Sequence, residues 1–151
     1  MIAFEPDLKP AQVIGDGDKI RTIVDNLVSN AIKYSPRSGA IRIDLRTEDG
    51  FAVLDVVDQG HGVDPGDRQQ IFESFYQGKP PAEGRVKGSG LGLAIAREYA
   101  LAHGGRIEVL DRSDGRRGAH FRLMLPASES GPAASPASAA NAAPVAIGSN
   151  R

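Results

Sequence analysis

The chain has 151 residues, 18 basic against 19 acidic, a net charge of −1 and no cysteine. That balance leaves no broad basic surface for nucleic acid and no polybasic membrane tether. The missing cysteines exclude a disulfide framework, thiolate metal sites and a cysteine nucleophile, and they suit a reducing compartment. No apolar run approaches the ~18 residues needed to cross a bilayer, and no signal peptide is recognisable.

The opening, Ile2 to Asp16, reads as one or two short strands that Pro6 and Pro10 confine to an edge. Asp16 and Asp18 suit the start of a helix from about Lys19 to Tyr34, with Ile20, Ile23, Val24, Leu27 and Ala31 on one face. Ser35-Pro36-Arg37-Ser38-Gly39 ends it. Residues Ile41 to Arg46 alternate apolar and charged, as a half-buried strand does. Asp49-Gly50 is a hairpin turn, and the more apolar Phe51 to Val57 reads as a central strand.

A short helix is expected around Asp67 to Phe72, then an irregular run from Gln77 to Lys87. Phe72 and Phe75 would pin the near end of that run. A helix follows over Ser89 to His103, stopped by Gly104-Gly105. Arg106–Leu110 and Ala119–Leu125 close the fold as a hairpin around Ser113-Asp114-Gly115. The pattern predicts an α/β two-layer sandwich, a mixed β-sheet with helices packed on one face. The folded unit spans residues 1–126. From Ala127 to Arg151 the chain is almost wholly Ala, Ser, Pro and Gly, too poor in apolar surface to offset the entropy of ordering. Disorder is expected there, with partner docking as the alternative.

Three stretches carry chemistry. Asn26, Asn30 and Lys33 form one helical stripe, about a quarter-turn from the apolar face, where a helix borders a cleft. Asn30 offers a carboxamide oxygen to Mg²⁺, a hard cation that keeps its waters beside phosphates, and Lys33 offers a positive charge. Asp58-Gln59-Gly60-His61-Gly62 leaves the end of the central strand, where ligands of open α/β sheets bind. A carboxylate there can accept a hydrogen bond from an adenine amino group. Lys87-Gly88-Ser89-Gly90-Leu91-Gly92-Leu93 opens a helix whose bare N–H groups can meet phosphate. Singly, the stripe reads more readily as a polar helix flank and the glycines as a turn, and the strand end reads equally well as a strand-ending turn. His61, His103 and His120 lie in no metal-ligand pattern and read as solvent-side residues without a chemical role. A P-loop is excluded because Lys87 precedes its glycines, and a dinucleotide fold because no strand runs directly into them.

In that order the stretches resemble the ATP-binding catalytic domain of sensor histidine kinases, within the superfamily of gyrase, Hsp90-type and mismatch-repair ATPases. Asn26 to Tyr34 resembles the N box, Asp58 to Gly62 the G1 box, Phe72 to Tyr76 the F box, and Gly88 to Leu93 the G2 box. The resemblance implies a Bergerat fold and phosphoryl transfer dominated by positioning and charge neutralisation. It implies that Asn30 coordinates Mg²⁺, that Asn26 and Lys33 lie along the ATP phosphates, and that Tyr34 lies near the nucleotide. Asp58 would read adenine N6, in a pocket shaped by Gly60, Gly62 and Val63, with Phe75 beside it. Gln77 to Lys87 would be the ATP lid, with Arg85 and Lys87 as phosphate partners. Gly88, Ser89, Gly90, Leu91, Gly92 and Leu93 would carry the lid hinge and helix start to the phosphates.

The ATPases of that superfamily place a water-activating Glu where this chain has Asn26, which cannot act as a base. The resemblance therefore implies a histidine kinase that saves the γ-phosphate for a protein acceptor. Two rivals stand beside it: an ATP-hydrolysing or serine-kinase relative, and a nucleotide-binding module without transfer activity. The implied partners are a histidine-bearing dimerisation domain and a response regulator. The phosphoacceptor histidine is expected outside this chain, which would be a monomeric, cytoplasmic domain of a sensor anchored in the inner membrane.

Overall fold

The structure, a computed structural model, describes residues 2–76, 90–128 and 143–147. Strands β1 (Ala3–Leu8), β3 (Ala40–Glu48), β4 (Phe51–Val57), β6 (His120–Pro126) and β5 (Arg106–Leu110) form one sheet in the order β1-β3-β4-β6-β5. β1 runs parallel to β3, and the other pairings in this sheet are antiparallel. The sheet is therefore mixed, as expected. Pro6 sits within β1, opposite Ile43 of β3, and is tolerated because β1 is an edge.

Helix α1 (Gly17–Tyr34) starts where Asp16 accepts hydrogen bonds from the N–H groups of Asp18 and Lys19. It ends at Ser35, extended at ψ 143°, because the proline that follows disfavours helical geometry there. Ile20, Ile23, Leu27 and Ala31 are buried on one side of it. Helix α2 (Gly92–Ala102) ends in a Schellman motif: Gly105 N–H donates to Ala100 O at 2.9 Å and Gly104 N–H to Leu101 O at 3.0 Å.

Both helices pack on one face of the sheet. The core between them holds Leu27, Ala96 and Ala100 from the helices and Leu45, Leu54, Val56, Phe121 and Leu123 from the strands. β4 is central, with every residue from Ala52 to Val57 buried. Its turn to β3 has Asp49 at φ 52° and Gly50 at φ 80°, the left-handed pair a tight hairpin requires.

Three expectations change. Residues 67–72 hold no regular helix; two 3₁₀ turns, Pro65–Asp67 and Gln70–Phe72, occupy the segment. Gly66 weakens helical propagation, and Phe72 is drawn inward against Phe121, ring centroids 6.5 Å apart. Within the tail, Ala143–Ile147 is a strand, β7, antiparallel to β2 (Ala11–Gly15) where disorder was expected. β2 offers a free edge of backbone groups, and Val145 and Ile147 favour extended backbone. His120 is not a solvent-side residue: it is 7% exposed, with Nε2 2.9 Å from Asp55 Oδ1 but not aligned as a hydrogen bond.

Candidate nucleotide site

A cavity of about 400 Å³ opens between α1, the end of β4 and the start of α2, a size suited to a small-molecule ligand. Asn26, Ser29, Asn30 and Lys33 line it from α1, so the polar stripe does border a cleft. Tyr34 adds its ring at the helix end, with burial pushing its phenol pKa up. Lys33 Nζ stands 5.4 Å from that ring's centroid.

Asp58 lies at the cavity wall, 1% exposed. Its Oδ1 accepts from Gly60 N–H and from Ala119 N–H, both at 2.9 Å. Among the described residues Oδ2 has no hydrogen-bond partner. Burial pushes the carboxyl pKa up, and the backbone donors of Ala119 and Gly60, with His61 and Arg112 nearby, work against that rise. Gly60 cannot carry a side chain, since a Cβ there would stand 2.5 Å from Tyr34 O.

The facing wall is the beginning of α2. Gly90, Gly92 and Leu93 line the cavity, and no side chain at the N-cap position, Leu91, bonds to the first turn. An eleven-residue helix therefore presents backbone donors and the positive end of its dipole toward the cavity. Gly90 reaches this place at φ 81°, where a Cβ would meet the Phe75 backbone at 2.9 Å.

Of the expected site residues, Asn26, Asn30, Lys33, Tyr34, Asp58, Gly62, Val63, Gly90, Gly92 and Leu93 meet at this cavity. Gly60 and Leu91 adjoin it in the chain without lining it. Phe75 departs from its expected place: its side chain is 70% exposed and outside the cavity, and its backbone N–H is held by Gly90 O. Of the two phenylalanines, Phe72 is the buried anchor of that segment. Arg85, Lys87, Gly88 and Ser89, with the rest of the Gln77 to Lys87 run, lie outside the described residues.

Several lining residues had not been expected. His61 lines the cavity with its ring 5.2 Å from that of Tyr34, so the solvent-side reading fails for it too. Tyr76 donates from its hydroxyl to Asp67 Oδ1 at 3.3 Å, and both residues border the cavity. Ser29 was readable from the helical stripe. Ala119 and Phe121 were not, because only the pairing of β4 with β6 brings them to Asp58.

The family model described as histidine kinase-, DNA gyrase B- and HSP90-like ATPase matches residues 15–129. The chain belongs to that family. Sensor-like histidine kinase SenX3 of Mycobacterium tuberculosis is 40% identical over 116 residues, 77% of this chain and 28% of SenX3. Sensor histidine kinase WalK of Bacillus subtilis is 39% identical over 116 residues, 76% of this chain and 19% of WalK. The chain thus spans under a third of the length of these curated relatives. Among solved structures, a mycobacterial sensor histidine kinase, MprB, superposes with a TM-score of 0.76 at 36% identity, over 83% of this chain and 84% of that one. The catalytic domain of histidine kinase ThkA gives 0.67 at 28% identity, over 83% and 78%. The α/β sandwich is the fold of these histidine kinase domains.

Proposed function

We propose that this ATPase-family domain is the ATP-binding catalytic domain of a sensor histidine kinase. It would transfer the γ-phosphate of ATP to a histidine on a dimerisation domain. The observation that carries the reading is Asp58: a buried carboxylate at the end of the central strand and at the cavity wall, pinned through Oδ1, with no hydrogen-bond partner for Oδ2 among the described residues. A carboxylate so held can accept a hydrogen bond from the adenine amino group, and it is costly to leave unsatisfied.

The phosphates would extend from there toward the start of α2. Backbone N–H groups, the helix dipole and Lys33 favour anions in that direction. Asn26 would lie along the phosphates, and the ring of Tyr34 beside the nucleotide. The carboxamide of Asn30, a hard neutral oxygen at the same wall, fits Mg²⁺, which when bound would neutralise phosphate charge. Arg85 and Lys87, in the segment read as a lid, would add cations. In the transfer the bond from γ-phosphorus to the bridging oxygen breaks, a bond from phosphorus to an imidazole nitrogen forms, and ADP leaves. Asn26 cannot take a proton from water, so hydrolysis would be slow and the protein acceptor favoured. A response regulator would receive the phosphate next. The parent sensor would hold this domain on the cytoplasmic side of a membrane; among the described residues no helix is long and apolar enough to cross one.

Calorimetric titration of ATP with Mg²⁺ into the chain, beside Asp58→Ala, tests the site. Saturable binding that Asp58→Ala abolishes is the expected result, followed by phosphohistidine formation on an added dimerisation domain. Absence of binding by the folded wild-type chain would overturn the assignment. Binding without transfer to any dimerisation domain would leave a nucleotide-binding module.

A further inference from the structure

The hairpin between β5 and β6 carries none of the motifs that mark the site, yet one of its residues reaches back to Asp58. Residues 113–117 of this loop are exposed, but the side chain of Arg112 is only 10% exposed. Its Nη1 donates to the main-chain carbonyl of Asp58 at 3.0 Å and to Arg117 O at 3.4 Å. Its other edge is held by Asp114, with Nε 3.1 Å from Oδ1 and Nη2 2.5 Å from Oδ2. This two-point pairing fixes the guanidinium plane as a single contact could not. Gly118 makes the approach possible: at φ 141° a Cβ there would stand 2.0 Å from Asp58 O and 3.0 Å from Arg112 Cδ.

We propose that Arg112, oriented by Asp114, is a positioning residue that fixes the Asp58 carboxylate for base recognition. Asp58 is gripped at both backbone polar atoms and at one carboxylate oxygen. Its N–H donates to Ala119 O at 2.9 Å, its carbonyl accepts from Arg112, and its Oδ1 accepts from Gly60 and Ala119. Without the guanidinium, the Asp58–Gln59 peptide loses a charged donor, and turning that peptide draws the Gly60 N–H off Oδ1 and loosens the carboxylate. The positive charge also favours the ionised carboxylate, the form that accepts from an amino group, adding to the larger effect of the backbone donors of Ala119 and Gly60 against the rise that burial causes. Selectivity for an amino-bearing base over an oxo-bearing one therefore depends on a residue that touches no ligand. This inference rests on Asp58 as the base reader.

The experiment measures affinities for ATP and for guanosine triphosphate with Mg²⁺ on the full chain and on Arg112→Ala, Arg112→Lys, Asp114→Asn, Asp58→Ala and the Arg112→Ala/Asp58→Ala pair. Wild type should prefer adenine, and Asp58→Ala should erase the preference. Arg112→Ala should narrow it by about tenfold, the scale of one charged hydrogen bond. Asp114→Asn should narrow it as well, and Arg112→Lys, with one donor able to reach the carbonyl, should fall between. Arg112→Ala should change nothing further once Asp58 is gone. Equal weakening for both nucleotides, or an unchanged preference in Arg112→Ala, would overturn the proposal while leaving the Asp58 reading intact. A wild-type chain without adenine preference would overturn both. If thermal melting shows that Arg112→Ala does not fold, Asp114→Asn and Arg112→Lys decide, because either can narrow or keep the preference.

Discussion

Asp58 and Asp55 stand three residues apart on one strand end and ionise in opposite ways. For Asp58, burial pushes the carboxyl up from its ordinary 3.8, and the two backbone donors do not cancel that push. Adenine recognition needs the carboxylate, so affinity is full above the Asp58 pKa and falls as pH drops through it. The fall should begin at a higher pH than an exposed aspartate would give. Below that pKa it should approach about tenfold per pH unit. The ratio of ATP to guanosine triphosphate affinity, followed from pH 7 to pH 4, isolates this effect, since both ligands carry the same nucleoside-linked triphosphate. A ratio that stays flat over that range would show that the base is not read by Asp58. Much of this was legible locally: an Asp at the end of an apolar strand, followed by two glycines, predicts a carboxylate at a cavity wall. Its partners were not, because Ala119 and Arg112 are 61 and 54 residues away.

Among the elements, α1 does two jobs with two faces. One side buries Ile23 and Leu27, both 0% exposed, against the sheet, and the adjoining stripe of Asn26, Asn30 and Lys33 lines the cavity. The helix is thus set by its apolar side, and the site residues are carried into place by the 3.6-residue period. Leu27→Ala should cost about 2–5 kcal/mol, from lost transfer energy and the cavity left behind. Chemical denaturation checks this, and a loss under about 1 kcal/mol would mean that α1 is not seated as described. The periodic signal was strong here, and the start of the helix moved only from the expected Lys19 to Gly17. It was weak over residues 65–72, where the burial of Phe72 against Phe121 outweighs the tendency of a short segment to coil. α2 also starts later than expected, at Gly92, since Gly90 must turn left-handed beside Phe75 first.

Across the whole molecule, the sheet face away from the helices is stitched by a charge network centred on Asp55. Its side chain, 6% exposed, meets Arg46 Nη1 on β3 at 2.8 Å, Arg122 Nε on β6 at 2.8 Å and His120 Nε2 at 2.9 Å. Burial alone would raise its pKa, but His120, Arg122 and Arg46 together hold the carboxyl far below its ordinary 3.8. A depressed pKa stabilises the fold above the unfolded value, and that stability is lost as pH falls from about 4 toward the folded value. Melting temperature should therefore decline in acid for wild type, and more shallowly for Asp55→Asn. At pH 7 Asp55→Asn should itself destabilise by about 2 kcal/mol, since it removes the charged hydrogen bonds that Arg46 and Arg122, both partly exposed, make to a buried carboxylate. An unchanged melting temperature at pH 7 would remove this network from the account of stability.

The order of elements, the central place of β4 and the polar stripe of α1 were all readable from the residues, because hydrophobic period and turn chemistry act over a few positions. The family resemblance was readable too, through motifs that are short and contiguous. Tertiary packing was needed to ring Asp55 with cations, to bring His61 and Tyr76 to the cavity, to turn Phe75 outward and to set Arg112 against Asp58. Each depends on which strands become neighbours, and strand order follows from burying one common core, a property no local stretch contains.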